Sequence, residues 1–261
     1  MSEIITAFNA GWVHGKIIPI DKTFNEIIGF YLWNLPVSST SSRSKGIEEY
    51  RWKKNVWKDG NLKKYLFNVA KLKVDFTYKK VTKLEEMSNA ATAIGLDGNF
   101  QNNRYANRIL IYNGNHRNEM LNIFYYIRCA FAHGRFCVYA VHDHKDCNES
   151  RIYALEAITR KRETNQYIVR ARMILSEDTL LTWKKVIMDG PNKLSLHLEE
   201  LYNEINNSIL NVLENNVEEL KKNDIADNLP YSSSLVNTVI NNMRDSGMIL
   251  YDNHKKRWVA V

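Results

Sequence analysis

Asn118-Glu119-Met120-Leu121-Asn122-Ile123-Phe124-Tyr125-Tyr126-Ile127-Arg128-Cys129-Ala130-Phe131-Ala132-His133-Gly134-Arg135-Phe136 is the stretch on which the reading of this chain turns. Asn118 is a good helix N-cap, and Glu119 suits the positive end of a helix dipole. The run from Met120 to Ile127 is nearly apolar all round, which predicts a buried helix. The helix continues to His133 and stops at Gly134, a natural C-terminal glycine. The hydrophobic period then changes from helical to two. Residues 136–141, 151–159 and 166–175 read as strands, the last two joined by the polar turn Lys161-Arg162-Glu163-Thr164-Asn165.

Upstream, residues 23–35 read as an apolar helix ended by Pro36, followed by a serine-rich polar loop over 37–46. Residues 47–57 read as a second helix, with Ile47, Tyr50 and Trp57 at helical spacing and Arg51, Lys53, Lys54 and Lys58 on or beside it. A basic-aromatic helix over 61–74 follows. Such segments either stack and pair with single-stranded nucleic acid or simply present a solvated lysine face. Residues 89–103, rich in Asn, Gly and Ala, read as loop or short helix. Downstream, 179–188 and 194–220 return to helix, broken at Gly190-Pro191.

The last segment, 224–261, has its own rhythm. A short helix around Ile225 and Leu229 is followed by a serine-rich turn. A second helix carries the stripe Val236, Val239, Ile240 and Met243 and ends at Gly247. Two short strands follow, around Lys255, Lys256 and Arg257. This order resembles a winged helix. Its wing would place Lys255, Lys256 and Arg257 on phosphate, while the second helix holds one basic residue, Arg244, so base readout is weak. The same module can serve only as a protein contact.

Composition limits the classes available. The chain has 261 residues, 44% of them hydrophobic, enough to bury a core. Its formal net charge of +7 favours an anionic partner, nucleic acid above all. No stretch approaches the roughly 18 apolar residues of a membrane span, and no secretory signal is evident, so a cytoplasmic protein without membrane partners is expected. Three cysteines agree with reduced thiols. Cys137, His142, His144 and Cys147 lie close together, but their spacing is not a usual zinc pattern, and neither metal nor cofactor is expected.

The string Arg128-Cys129-Ala130-Phe131-Ala132-His133-Gly134-Arg135-Phe136 closely resembles the signature of the HEPN superfamily (higher eukaryotes and prokaryotes nucleotide-binding domains). Many of its members are metal-independent ribonucleases of toxin, CRISPR and phage-defence systems. The resemblance is clearest at the helix around Arg128 and extends more loosely through the strands to Trp183. In that superfamily the residue after the arginine is usually polar, often Asn, Asp or His; here it is Cys129. The chemistry stands on its own as well. RNA can be cleaved without metal because its 2′-OH attacks the adjacent phosphate. A histidine moves protons near neutral pH, and an arginine pairs with the charged phosphorane. Residues five apart on a helix diverge by about 140°. Arg128 and His133 therefore converge if the arginine curls round, if the last turn unwinds, or if a second protomer completes the site. The resemblance implies the last.

Taken together, the expected protein is mainly α, in an α+β arrangement: a HEPN-like helical bundle with a small antiparallel sheet over 1–205, and a winged-helix-like module over 206–261. The expected function is endoribonuclease action as a toxin or phage-defence effector, with a non-catalytic nucleic-acid-binding or regulatory protein as the alternative. Arg128 and His133 are the catalytic candidates. Arg135, Lys255, Lys256 and Arg257 are the nucleic-acid candidates. The expected partners are RNA, a second copy joined through the Arg128–His133 helix end, and an antitoxin or regulatory protein.

Overall fold

The computed structural model describes residues 21–37, 46–59, 61–74, 76–97, 107–114, 118–142, 149–160, 167–215, 220–254 and 257–261. Its helices are α1 Lys22–Gly29, α2 Val56–Asp59, α3 Asn61–Val69, α4 Met87–Ala93, α5 Glu119–Ala132, α6 Glu177–Asp189, α7 Leu194–Asn215, α8 Lys222–Asn228 and α9 Ser233–Asp245. Its strands are β1 Tyr78–Val81, β2 Arg108–Tyr112, β3 Phe136–His142, β4 Glu149–Arg160, β5 Tyr167–Ser176, β6 Ile249–Asp252 and β7 Arg257–Ala260. The chain is thus α+β.

The larger sheet runs β1-β2-β5-β4-β3. Three of its four pairings are antiparallel, and β1 lies parallel to β2. The antiparallel trio β3-β4-β5 is the sheet that the alternating pattern predicts. The parallel edge is an addition. β1 is only four residues long, and β2 is a short apolar run without alternation, so neither carries a period-two signal.

One face of the sheet, with Ile109, Ile111, Tyr153, Leu155, Ala171 and Met173, packs against the helical layer. The opposite face, with Leu110, Ile152, Ala154, Val169 and Ile174, is covered by α4. α5 lies in the larger core, with Met120, Ile123, Phe124 and Ile127 fully buried. α6 is the helix that the others bond to. Trp183 donates its indole N–H to Leu66 O (2.7 Å), Trp52 donates to Ile187 O (2.9 Å), and the Tyr31 hydroxyl donates to Leu180 O (3.0 Å).

Several sequence expectations are corrected in detail. Residues 47–57 are not one helix. A 3-10 turn, Ile47–Tyr50, ends at Arg51 in the left-handed region (φ 65°), and helix resumes only at Val56. The predicted helix over 61–74 stops at Val69, where Lys71, at φ 54°, turns the chain. The helix over 23–35 is α1 continued by a π-helical turn, Phe30–Asn34.

The tail has the predicted order, with α8, α9 and an antiparallel β6–β7 hairpin. The division drawn at 205/206 falls inside α7, which continues unbroken to Asn215. Tail residues Ile225, Val236, Ile240 and Ile249 belong to the same hydrophobic cluster as α5 and α6. The Tyr231 hydroxyl donates to Glu204 on α7 (2.8 Å), and Ser232 N–H donates to Asn68 (3.4 Å). Tail and body share one core.

Among the described residues, charge is buried in one place in the sheet. Glu156 on β4 and Arg172 on β5 are register partners and both lie at 0% exposure. Arg172 Nε donates to Glu156 (3.2 Å) and its Nη1 to Leu96 O (2.7 Å). Replacing Arg172 by Leu strands a buried carboxylate and should cost about 3–5 kcal/mol. Denaturant unfolding beside a Glu156→Leu/Arg172→Leu double variant checks this, because the double variant is expected to recover much of the loss.

Candidate functional site at the end of α5

α5 begins as predicted. The Asn118 side chain accepts from Met120 N–H (3.0 Å) and Leu121 N–H (3.4 Å), and its own amide donates to Trp57 O (2.7 Å). Glu119, in the first turn, receives hydrogen bonds from Lys63 on α3 and Lys80 on β1. Burial pushes its carboxyl pKa up, but the two lysines outweigh burial and hold it below the usual carboxylate range.

The other end of α5 closes in a two-bond reversal. Gly134, at φ 62°, donates to Phe131 O (3.2 Å), and Arg135 donates back to Ala130 O (2.8 Å). This 5→2 and 6→1 pairing satisfies helix-end carbonyls and requires the left-handed backbone at the residue between. His133 is the C-cap, and its backbone N–H donates to Cys129 O (3.1 Å). The chain then enters β3 at once. Arg135 O accepts from Glu156 N–H (3.0 Å), so a single residue joins helix end and sheet.

The two catalytic candidates differ sharply in setting. Arg128 is half-buried, and its Nε donates to Leu32 O in the π-helical turn (3.1 Å). A π turn breaks the regular backbone ladder and frees a carbonyl for such a bond. Among the described residues, the Nη groups make no hydrogen bond, and Nε–H is the one of its five N–H donors that is engaged there. The His133 side chain is exposed and makes no hydrogen bond to a described residue. α5 is regular through Ala132, so the last turn does not unwind, and no hydrogen bond joins the Arg128 and His133 side chains.

Cys129 is half-buried between them. Burial pushes its thiol pKa up, against the lowering effects of a Tyr125 hydrogen bond and the Arg128 charge. It stays a neutral thiol at neutral pH.

Arg135 is half-buried, with its guanidinium carbon 5.8 Å from the centre of the Tyr167 ring. Of the wing candidates, Arg257 lies half-buried on β7, whereas Lys255 and Lys256 lie outside the described residues. On α9 the one basic residue, Arg244, is paired to Asp245 (2.7 Å). Cys137 is buried, but His144, Cys147 and the side chain of His142 lie outside the described residues. Among the described residues no group of three His, Cys, Asp or Glu side chains is placed to hold a metal, and no helix is long and apolar enough to cross a membrane.

The sequence reading missed a cavity beside α5. It is lined by Tyr112, Asn113, Asn122, Tyr125 and Arg170, among others. Among its described lining residues the one cation, Arg170, comes from β5, at a break in strand register that has no signature in the sequence.

Two outcomes follow from this geometry. Gly134→Ala forces a Cβ into the left-handed region at a cost of about 1–2 kcal/mol. Thermal melting should fall by roughly 2–8 °C. Glu119 works through its depressed pKa. Its contribution is complete above the unfolded carboxyl value, about 4.3, and is lost as pH falls through the lower folded value. Glu119→Gln should therefore destabilise at pH 7, with the gap to wild type closing as pH drops toward about 3; melting curves across that range decide it.

No family model matches the chain, and no curated protein and no solved structure matches it, so the geometry of the α5 end carries the functional reading.

Proposed function

We propose that this protein is a metal-independent endoribonuclease acting through Arg128 and His133. The observation that carries the reading is the presence of two unlike groups near one helix end. One is an arginine fixed at Nε whose Nη groups bond to no described residue, and the other is an exposed histidine at the helix cap.

In the proposed reaction the ribose 2′-oxygen attacks the adjacent phosphorus and the bond to the 5′-oxygen breaks. The products are a 2′,3′-cyclic phosphate and a 5′-hydroxyl. The phosphorane carries extra negative charge that Arg128 can meet with two parallel N–H donors. His133 moves the proton, either from the 2′-OH or to the leaving oxygen.

One chain offers one such histidine, and the helix geometry separates it from Arg128. A homodimer that juxtaposes two helix ends supplies acid and base together. The outer face of α5 supports this. Leu121, Tyr125, Arg128, Cys129 and Ala132 recur at helical spacing and all stay at least partly exposed. By its resemblance the chain fits a toxin or phage-defence setting, with an antitoxin or regulatory partner.

A second reading, a non-catalytic nucleic-acid-binding or regulatory protein, is favoured by Cys129. A half-buried neutral thiol stands where a polar group would help hold the phosphate. For the tail, the Arg244–Asp245 pair favours protein contact over base readout by α9, and leaves any phosphate contact to the wing.

Purified protein incubated with mixed RNA in EDTA separates the readings. Expected are products ending in 2′,3′-cyclic phosphate, lost by about a hundredfold or more in Arg128→Ala and in His133→Ala. Cleavage abolished by EDTA, or surviving in both variants, rejects the mechanism. Light scattering should show a dimer at micromolar concentration.

A further inference from the structure

β5 carries one residue more than β4 where their pairing slips. Ala157 pairs with Ala171 and Ile158 with Val169, which leaves Arg170 without a register partner. A bulge of this kind re-aims the extra side chain and is common beside functional sites. The Arg170 guanidinium lies over the Tyr112 ring, 4.6 Å from its centre. Among the described residues no carboxylate meets Arg170, whereas Arg151 meets two and Arg172 and Arg244 one each.

Arg170 lines a cavity of about 290 Å³. That volume falls just below the range of ligand pockets, roughly 300 to 1,000 Å³. The wall opposite is polar and fixed. Asn122, only 4% exposed, donates through Nδ2 to Tyr112 O (3.0 Å) and to Asn113 Oδ1 (3.2 Å). Its Oδ1 accepts no hydrogen bond from a described residue, so this wall also offers an acceptor. The Tyr125 ring supplies a partly exposed aromatic wall. Gly114 makes room for this arrangement, because a Cβ there would lie 1.9 Å from the Tyr112 hydroxyl.

Among the described residues the lining contains no acidic residue and one arginine that no carboxylate meets. A ligand that satisfies all three features has a planar ring to stack, an N–H edge for the Asn122 acceptor and an anionic oxygen for Arg170. We infer that this cavity binds one nucleotide unit, with its base against the tyrosines and its phosphate on Arg170. The inference deepens the ribonuclease reading and rests on it for placing the cavity along the substrate strand. Asn122, Tyr126, Cys129 and His133 follow one another at steps of four, three and four along α5, so the cavity and His133 share a ridge. Tyr126 and His133 are seven residues apart, about 10 Å along the axis.

The test is titration calorimetry of the full chain with AMP, GMP, CMP and UMP, and with the corresponding nucleosides. A short oligoribonucleotide carrying a 2′-deoxy block at the scissile position is titrated in parallel. At least one mononucleotide should bind, and its nucleoside should bind more weakly. Arg170→Gln should weaken mononucleotide binding about tenfold or more, the loss of one charge-assisted contact. Gly114→Ala should weaken it too, by displacing Tyr112; melting curves confirm that both variants fold.

If the blocked oligonucleotide competes with the mononucleotide, the ligand is a unit of an RNA chain. If it does not compete, the ligand is a free nucleotide. Both results uphold the cavity. Absence of binding by all four mononucleotides, or equal affinity in folded Arg170→Gln, overturns the inference. RNA cleavage is read separately: wild type that binds nucleotide but leaves RNA intact ends the ribonuclease reading and leaves the cavity standing.

Discussion

The left-handed backbone of Gly134 is the constraint on which this structure turns. It lets α5 end in two reversed hydrogen bonds, to Phe131 O and Ala130 O, and lets the chain enter β3 with no intervening loop. Because Arg135 bonds both back to the helix and across to Glu156, the helix end is held at a set position on the sheet. An exposed His133 and a half-buried Arg128 thus stand on rigid elements. A functional pair needs this kind of support if its geometry is to be reproducible.

Electrostatics fixes the other degrees of freedom. At the N-terminus of α5, Glu119 draws one lysine from α3 and another from β1, tying the helix to both the helical layer and the parallel edge of the sheet. In the second core, Glu156 and Arg172 meet across the β4–β5 pair. A buried pair of this sort adds little net stability, but a one-residue slip of either strand would bury two unpaired charges. The pair therefore specifies register on one side of the bulge at Arg170. Beyond the bulge the strands resume one residue out of step, and Arg170 is left to face α5 and Tyr112.

The tail is not an appendage. Its hydrophobic stripe joins the main core, and α7 spans the 205/206 point at which the winged-helix-like order of the tail suggested a division. The surfaces left to it are a mostly uncharged α9 face and the β6–β7 hairpin, where Leu250 and Tyr251 stay exposed.

By itself the sequence determined the elements whose signals are local. α5 is bounded by a capping Asn118 and a terminal Gly134, and its apolar perimeter announces a buried helix. β3, β4 and β5 show their period of two, and the tail shows its order of helix, turn, helix and hairpin. The two catalytic candidates were legible because residue type and helix end coincide at Arg128 and His133. Tertiary structure decided the rest, since it depends on partners distant along the chain. Arg128 is oriented by a carbonyl 96 residues away, at Leu32. β1 and β2 form a parallel edge only because they find each other and β2 finds β5. The helix expected over 47–57 gave way to a turn in which Trp52 reaches Ile187 O, 135 residues on. Arg170 became a cavity cation only through a slip in strand pairing. Local propensity cannot encode such contacts, because their free energy exists only once the two segments have met.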